Sequence, residues 1–156
     1  MTEAPLISVK EALERVLTVF TPLPSEQVAL MQASGRVLAE DVIAQDDLPR
    51  FDNSSMDGFA LHPADRPASP DQTVELEVVA DIPAGTQPTL TLNRGQAARI
   101  MTGAPLPEGT DCVVPVEDTD FPYRTTQALP PHVKVYRFPP SGSNIRPRGQ
   151  DAAKNE

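Results

Sequence analysis

Eighteen prolines are scattered along these 156 residues, falling between apolar runs rather than gathering in a repeat. Proline has no amide hydrogen and is confined to the edges, starts and bulges of a sheet. Such punctuation points to a loop-rich, strand-rich fold rather than to disorder. At this length the chain holds one ordinary domain or two small ones, each with a modest core.

The run Leu48 to Ala60, LPRFDNSSMDGFA, is too polar for a core strand. It gathers Arg50, Asp52, Asn53, Ser54, Ser55 and Asp57 among the apolar anchors Phe51, Met56 and Phe59. Asp52-Asn53 and Asp57-Gly58 favour turns, because short polar side chains bond nearby backbone and glycine accepts positive φ. The expectation is a loop pinned at both ends by aromatic rings, holding Asp57 in one orientation. An ordinary polar turn fits the composition equally well.

Around this run the pattern is α+β and β-rich. Ser8-Val9-Lys10-Glu11 fits a capping box. Val9, Ala12, Leu13, Val16, Leu17 and Phe20 recur at helical spacing, and Thr21-Pro22 ends that helix. Met31 to Glu40 reads as a second helix with Met31, Val37 and Leu38 buried, where Gly35 costs about 1 kcal/mol relative to alanine. Val42 to Ala44 reads as a strand into the polar run, and Phe59 to Leu61 as the strand out of it, their apolar residues belonging to the core. A proline-punctuated surface loop follows to Asp71. Val74, Leu76 and Val78 alternate with Glu75 and Glu77, and Leu90 and Leu92 alternate again, with turns at Ile82 to Gly85 and Asn93 to Gly95. With further strands at Gln96 to Met101, Cys112 to Glu117 and Val133 to Phe138, the spacing predicts a small antiparallel barrel or curled sheet.

Thr102-Gly103-Ala104 interrupts that sheet. Its hydroxyl and amides could face an anion if a helical turn begins there, or Thr102 could simply cap the turn. Arg146 and Arg148 stand close to Asp151, either as forks for phosphate or carboxylate oxygens or as a surface ion-pair cluster.

The formal charge of -9 and the absence of a basic stripe argue against a nucleic-acid partner. Cys112, the lone cysteine, excludes an intrachain disulfide and beside Val113 and Val114 reads as a small buried hydrophobe. His62 and His132 lie too far apart to suggest a metal pair. No secretory signal or bilayer-spanning run is evident, so the expected location is the cytoplasm, with no membrane partner.

Three blocks occur in order: LPRFDNSSMDGFA; RIMTGAPLP from Arg99 to Pro107, continuing through Gly109, Asp111 and Val113-Val114; and GSNIRPRGQD from Gly142 to Asp151. Together they resemble successive signatures of the molybdopterin molybdenumtransferase family, which includes the E domain of gephyrin, and the resemblance covers nearly the whole chain up to Asp151. It implies an elongated, discontinuous first domain, residues 1–48 with 141–156, interrupted by a β-rich second domain, residues 49–140. The implied reaction inserts molybdate into adenylylated molybdopterin with Mg2+, releasing AMP, after a molybdopterin adenylyltransferase has activated the pterin.

The resemblance further implies a homodimer and molybdoenzyme maturation partners. Its cleft is shared with a third domain that, like the fourth, is missing from this sequence, so the chain alone is expected to turn over little. Carried over by position, Asp57 and Thr102 are the implied catalytic residues. Asp57 and Asp151 are the implied magnesium carboxylates, and Arg146, Arg148, Asn53 and Ser54 are candidates for substrate contact. Ser55 replaces a frequent alanine, Phe59 a frequent tyrosine and Gln150 a usual glutamate; after Asp151 the expected apolar residue and glycine are missing. The alternative is a non-enzymatic dimerisation or protein-binding module of the same fold.

Overall fold

A computed structural model of the chain describes residues 6–69, 72–122 and 128–156. The chain divides into two compact units, Met1–Val42 and Ile43–Glu156. The end of the predicted surface loop, Pro70 and Asp71, lies outside the described residues.

In the first unit, α1 spans Val9–Leu17. Ser8 Oγ accepts the Glu11 amide at 3.2 Å, satisfying one of the first-turn donors. The reciprocal half of the capping box does not form, because the Glu11 carboxylate takes Arg15 one turn on, at 2.7 Å. The helix also stops short of Thr21-Pro22: the Thr18 hydroxyl donates to the Arg15 carbonyl at 2.8 Å, and the Val19 and Phe20 amides reach back only three residues. None of its residues is buried. The predicted second helix is corrected to a single 3-10 turn, Leu30–Gln32. Gly35, at φ +80°, leaves the helical region. Met31, Val37 and Leu38 are exposed rather than core.

Val42 to Ala44, where the first unit gives way to the second in sequence, is not a strand, and Val42 and Ile43 are exposed. Ala44 instead exchanges backbone hydrogen bonds with Asn155 and Glu156, at 2.9 and 3.0 Å. The strands are β1 (Asn53–Ser54), β2 (Gly58–Leu61), β3 (Val74–Ile82), β4 (Gln96–Ile100), β5 (Cys112–Pro115), β6 (His132–Val135) and β7 (Ile145–Arg146). One sheet has the order β5-β2-β4-β3-β6, and β1 and β7 form a separate ribbon.

The antiparallel expectation fails at β3 and β4, which are parallel. Residues 83–95 join them, long enough for the crossover of about a dozen residues that parallel neighbours require. The predicted strand at Leu90 and Leu92 belongs to this crossover. There Thr91 bridges only Glu108, and Leu92 is buried. The mixed sheet curls: beyond β5, the Asp120 amide donates to the Lys134 carbonyl and the Tyr136 amide to Asp118, at 3.0 and 2.8 Å. The chain leaving one edge strand thus meets the other edge, covering unpaired backbone groups.

Both faces of the sheet are covered, so all four residues of β2 are buried. Phe59 and Leu61 pack with Leu76, Val78 and Val114 on one face; Ala60 packs with Ile82, Leu92 and Val113 on the other. Strict alternation would keep Val78, Ala80 and Ile82 together. The register shift between Val78 and Ala80 moves the later residues to the second face, as an extra residue in a strand must. Cys112 is fully buried, and burial, then the Asp111 charge, pushes its thiol up to about 12. It is an inert core residue.

Candidate functional site

Antiparallel pairing brings the first two blocks together. Gly58 stands opposite Ile100 in the ladder, so Asp57, just before β2, and Thr102, just after β4, emerge at the same end. The Thr102 amide and hydroxyl both donate to Asp57 Oδ1, at 2.7 and 2.8 Å. Both residues are exposed, and Asp57 Oδ2 accepts no hydrogen bond among the described residues. The predicted display of free amides to an anion is corrected. The Thr102 amide serves Asp57, the Gly103 amide donates to the Ser54 carbonyl at 2.8 Å, and the Ala104 amide to Met101 at 2.9 Å. The turn fixes a carboxylate and has no main-chain donors left over.

Asp57 and Thr102 open onto a cavity of about 350 Å³. Met56, Met101, Val116 and Phe121 give it apolar walls; Arg99 and Glu117 are its other charged residues. Arg99 is 6 % exposed. Its Nε donates to Asp81 Oδ1 at 2.8 Å, and its guanidinium lies 5.6 Å from the centre of the Phe121 ring. The hydrogen bond to Asp81 raises the already high Arg99 pKa, so this cation is permanent. Gly58 completes the frame: a Cβ there would lie 1.9 Å from the Val114 carbonyl oxygen, so only glycine lets β2 pass this close to β5.

Asn53 and Ser54, expected at the substrate, are 3 % and 0 % exposed and do not line the cavity. Ser54 Oγ donates to the Met56 carbonyl at 2.6 Å and accepts the Met56 amide at 3.2 Å, while the Ser54 amide donates to Ala104 at 3.0 Å. Asn53 Nδ2 donates to the Phe51 carbonyl at 3.2 Å; its Oδ1 has no partner among the described residues. These two residues lace the polar run to the Thr102 turn from beneath. The aromatic pinning holds at Phe59 only, because Phe51 is 44 % exposed. Main-chain bonds secure the other end, from Gly149 to Pro49 and from Leu106 to Asp52, at 2.9 and 3.2 Å.

The third block braces the first. β7 pairs with β1, setting Arg146 opposite Asn53, and Asn144 donates to the Val113 carbonyl at 2.8 Å while accepting the Ser55 amide at 3.0 Å. Arg146 is paired with Asp151, and Arg148 Nε donates to Asp47 at 2.6 Å. The Lys154 amide and then the Arg148 side chain hold the Asp47 carboxyl below its ordinary range. Neither arginine, nor Asp151, lines the cavity of Asp57. Among the described residues no three His, Cys, Asp or Glu side chains converge as a metal cluster. Sequence reasoning missed Glu117 and the wall around it. Arg99 stood at the head of the second block, but its role depends on facing Asp81 across a parallel pair that no local pattern announces.

The model of the MoeA N-terminal region (domain I and II) matches residues 7–156. The chain belongs to that family. This MoeA N-terminal region is 41 % identical over 150 residues to the molybdopterin molybdenumtransferase of Synechococcus elongatus, covering 94 % of the chain and 36 % of the relative. It is 45 % identical over 127 residues to molybdopterin molybdenumtransferase 2 of Mycobacterium tuberculosis, covering 81 % and 30 %. A crystal structure of the molybdopterin biosynthesis moeA protein from Pyrococcus horikoshii OT3 superposes with a TM-score of 0.75 at 30 % identity, covering 97 % of this chain and 39 % of that one. The MoeA N-terminal region thus spans about a third of the length of these curated relatives.

Proposed function

We propose that this chain supplies one wall of the active site of a molybdopterin molybdenumtransferase, which inserts molybdate into adenylylated molybdopterin and releases AMP. The observation that carries the reading is the double donation of Thr102 to one oxygen of Asp57, whose other oxygen has no partner among the described residues, on a residue that lines a cavity. A carboxylate held in this way pays little further entropy to meet a cation, and Thr102 Oγ1, having donated its hydrogen, keeps lone pairs for the same ion. These hard oxygens fit Mg2+, which binds one or two carboxylates together with substrate phosphates and retained waters. When bound, the ion would polarise phosphoryl oxygens at the anhydride that is cleaved.

The residues of the chain orient and support that event. Thr102 aims Asp57, Ser54 and Asn53 hold the loop beneath it, and Asp151 acts through Arg146 as part of the brace. Arg146 and Arg148, each paired with a carboxylate, keep further guanidinium donors for a substrate anion. The discontinuous first domain is supported by the backbone pairing of residues 44 and 48 with 152–156, where the chain returns beside its point of departure. The apolar, unburied face of α1 supports a homodimer, in which a second copy of α1 covers Leu13 and Val16. Among the described residues no helix is long and apolar enough to cross a membrane.

The reading is tested by Asp57→Ala in a chimera joining residues 1–156 to the remaining length of the Synechococcus elongatus relative. Molybdate-dependent cofactor formation is expected to disappear, while loss of the two Thr102 bonds costs about 1–3 kcal/mol, which a melting curve reads separately from activity. Unchanged cofactor formation would remove Asp57 from the mechanism.

A further inference from the structure

Glu117 has no role in the chemistry assigned above. It stands in the 3-10 turn Val116–Asp118 directly after β5, exposed, on the same cavity as Asp57. No hydrogen bond or ion pair engages its carboxylate among the described residues, and the guanidinium bordering the cavity, Arg99, is occupied by Asp81. In a site for a polyanion a second bare carboxylate is a liability, since like charges a few ångströms apart repel. It becomes an asset where it shares a cation with Asp57 or where the ligand presents donors, and the presence or absence of a magnesium requirement separates the two.

A pterin has one such edge. Its N3–H and exocyclic 2-amino group point the same way, in a fork resembling a guanidinium, and a carboxylate accepts both bonds at once. The rest of the ring is flat and apolar on its faces, which suits walls of Met56, Met101 and Phe121, where thioethers and an aromatic ring meet a π-system favourably. The cavity, about 350 Å³, is in the range that encloses a small ligand.

We propose that Glu117 is the specificity-determining residue of the cavity, accepting the 2-amino and N3–H donors of the pterin while the phosphate end lies toward Asp57 and Thr102. This rests on the transferase reading and adds to it the part of the substrate that the cavity takes. Arg99, fixed by Asp81 and stacked near Phe121, keeps the ring's wall in place.

The test uses the whole 156-residue chain and two free heterocycles, pterin and lumazine, which has an oxo group in place of the 2-amino group. Binding is read from the fluorescence of the heterocycle, with and without magnesium. The pterin is expected to bind on the order of tenfold or more tightly than lumazine, the value of a charge-assisted hydrogen bond. Magnesium should have no effect on it, and Glu117→Gln should erase the preference. Absence of saturable pterin binding, equal binding of the two rings, a preference that survives Glu117→Gln, or a requirement for magnesium would each overturn the proposal. Because no turnover is measured, failure here leaves the Asp57 test standing, and failure of the Asp57 test leaves this binding result intact.

Discussion

At Gly58 the absence of a side chain decides where a catalytic candidate stands. The Val114 carbonyl occupies the volume of a Cβ, so Gly58→Ala must push β2 and β5 apart. Overpacking against backbone at a buried ladder position costs about 3 kcal/mol, and the urea midpoint should fall accordingly with little change in slope. A variant as stable as the parent would mean that the two strands separate freely. The neighbouring residues show what a sequence can and cannot reveal at this scale. Asp57 before glycine reads as an exposed turn carboxylate, and it is one. Ser54 and Asn53 carry the same polarity but are sealed beneath the loop, because their hydroxyl and amide close on main-chain groups two residues away. Composition gives no sign of which polar residue of a run turns inward.

Among the elements, those with a strong local signal were legible: α1 from its apolar period and Ser8 cap, the first part of β3 from alternation, β4 from the turn before it, and the turns at Gly85 and Gly95 from glycines that sit at positive φ. What escaped depends on distant partners. The parallel pairing of β3 with β4, and the bulge that redirects Ala80 and Ile82, are set by a crossover and by Ala97 and Ala98 opposite them. The second helix failed because Gly35 ends the turn before any tertiary contact can offset its cost. α1 shows the converse case, a well-formed amphipathic helix with its apolar face open. Covering about four aliphatic side chains is worth several kcal/mol. The chain should therefore sediment as a dimer, and Leu13→Asp with Val16→Asp should make it a monomer while the Ile43–Glu156 unit keeps its melting temperature. A monomeric parent chain would exclude α1 as a self-association face.

On the scale of the molecule, three blocks separated by dozens of residues form one braced assembly: β7 on β1, Asn144 on β5, and Thr102 on Asp57. The order of the blocks in the sequence carried the family. With the family came the expectation that Asp57 and Thr102 meet at one cleft, and they do; what no local pattern announced is the means, the register of β2 against β4. The cavity beside them is lined by Asp57, Thr102, Glu117, Arg99 and apolar residues, and the relatives are about three times as long. The most direct measurement of this division of labour mixes the 156-residue chain with the separately produced remainder of the Synechococcus elongatus relative, supplied with molybdate, magnesium and adenylylated molybdopterin. The account predicts AMP release and molybdenum cofactor only when both parts are present, and none when the chain carries Asp57→Ala. Equal turnover by the remainder alone, or by the mixture containing Asp57→Ala, would contradict it.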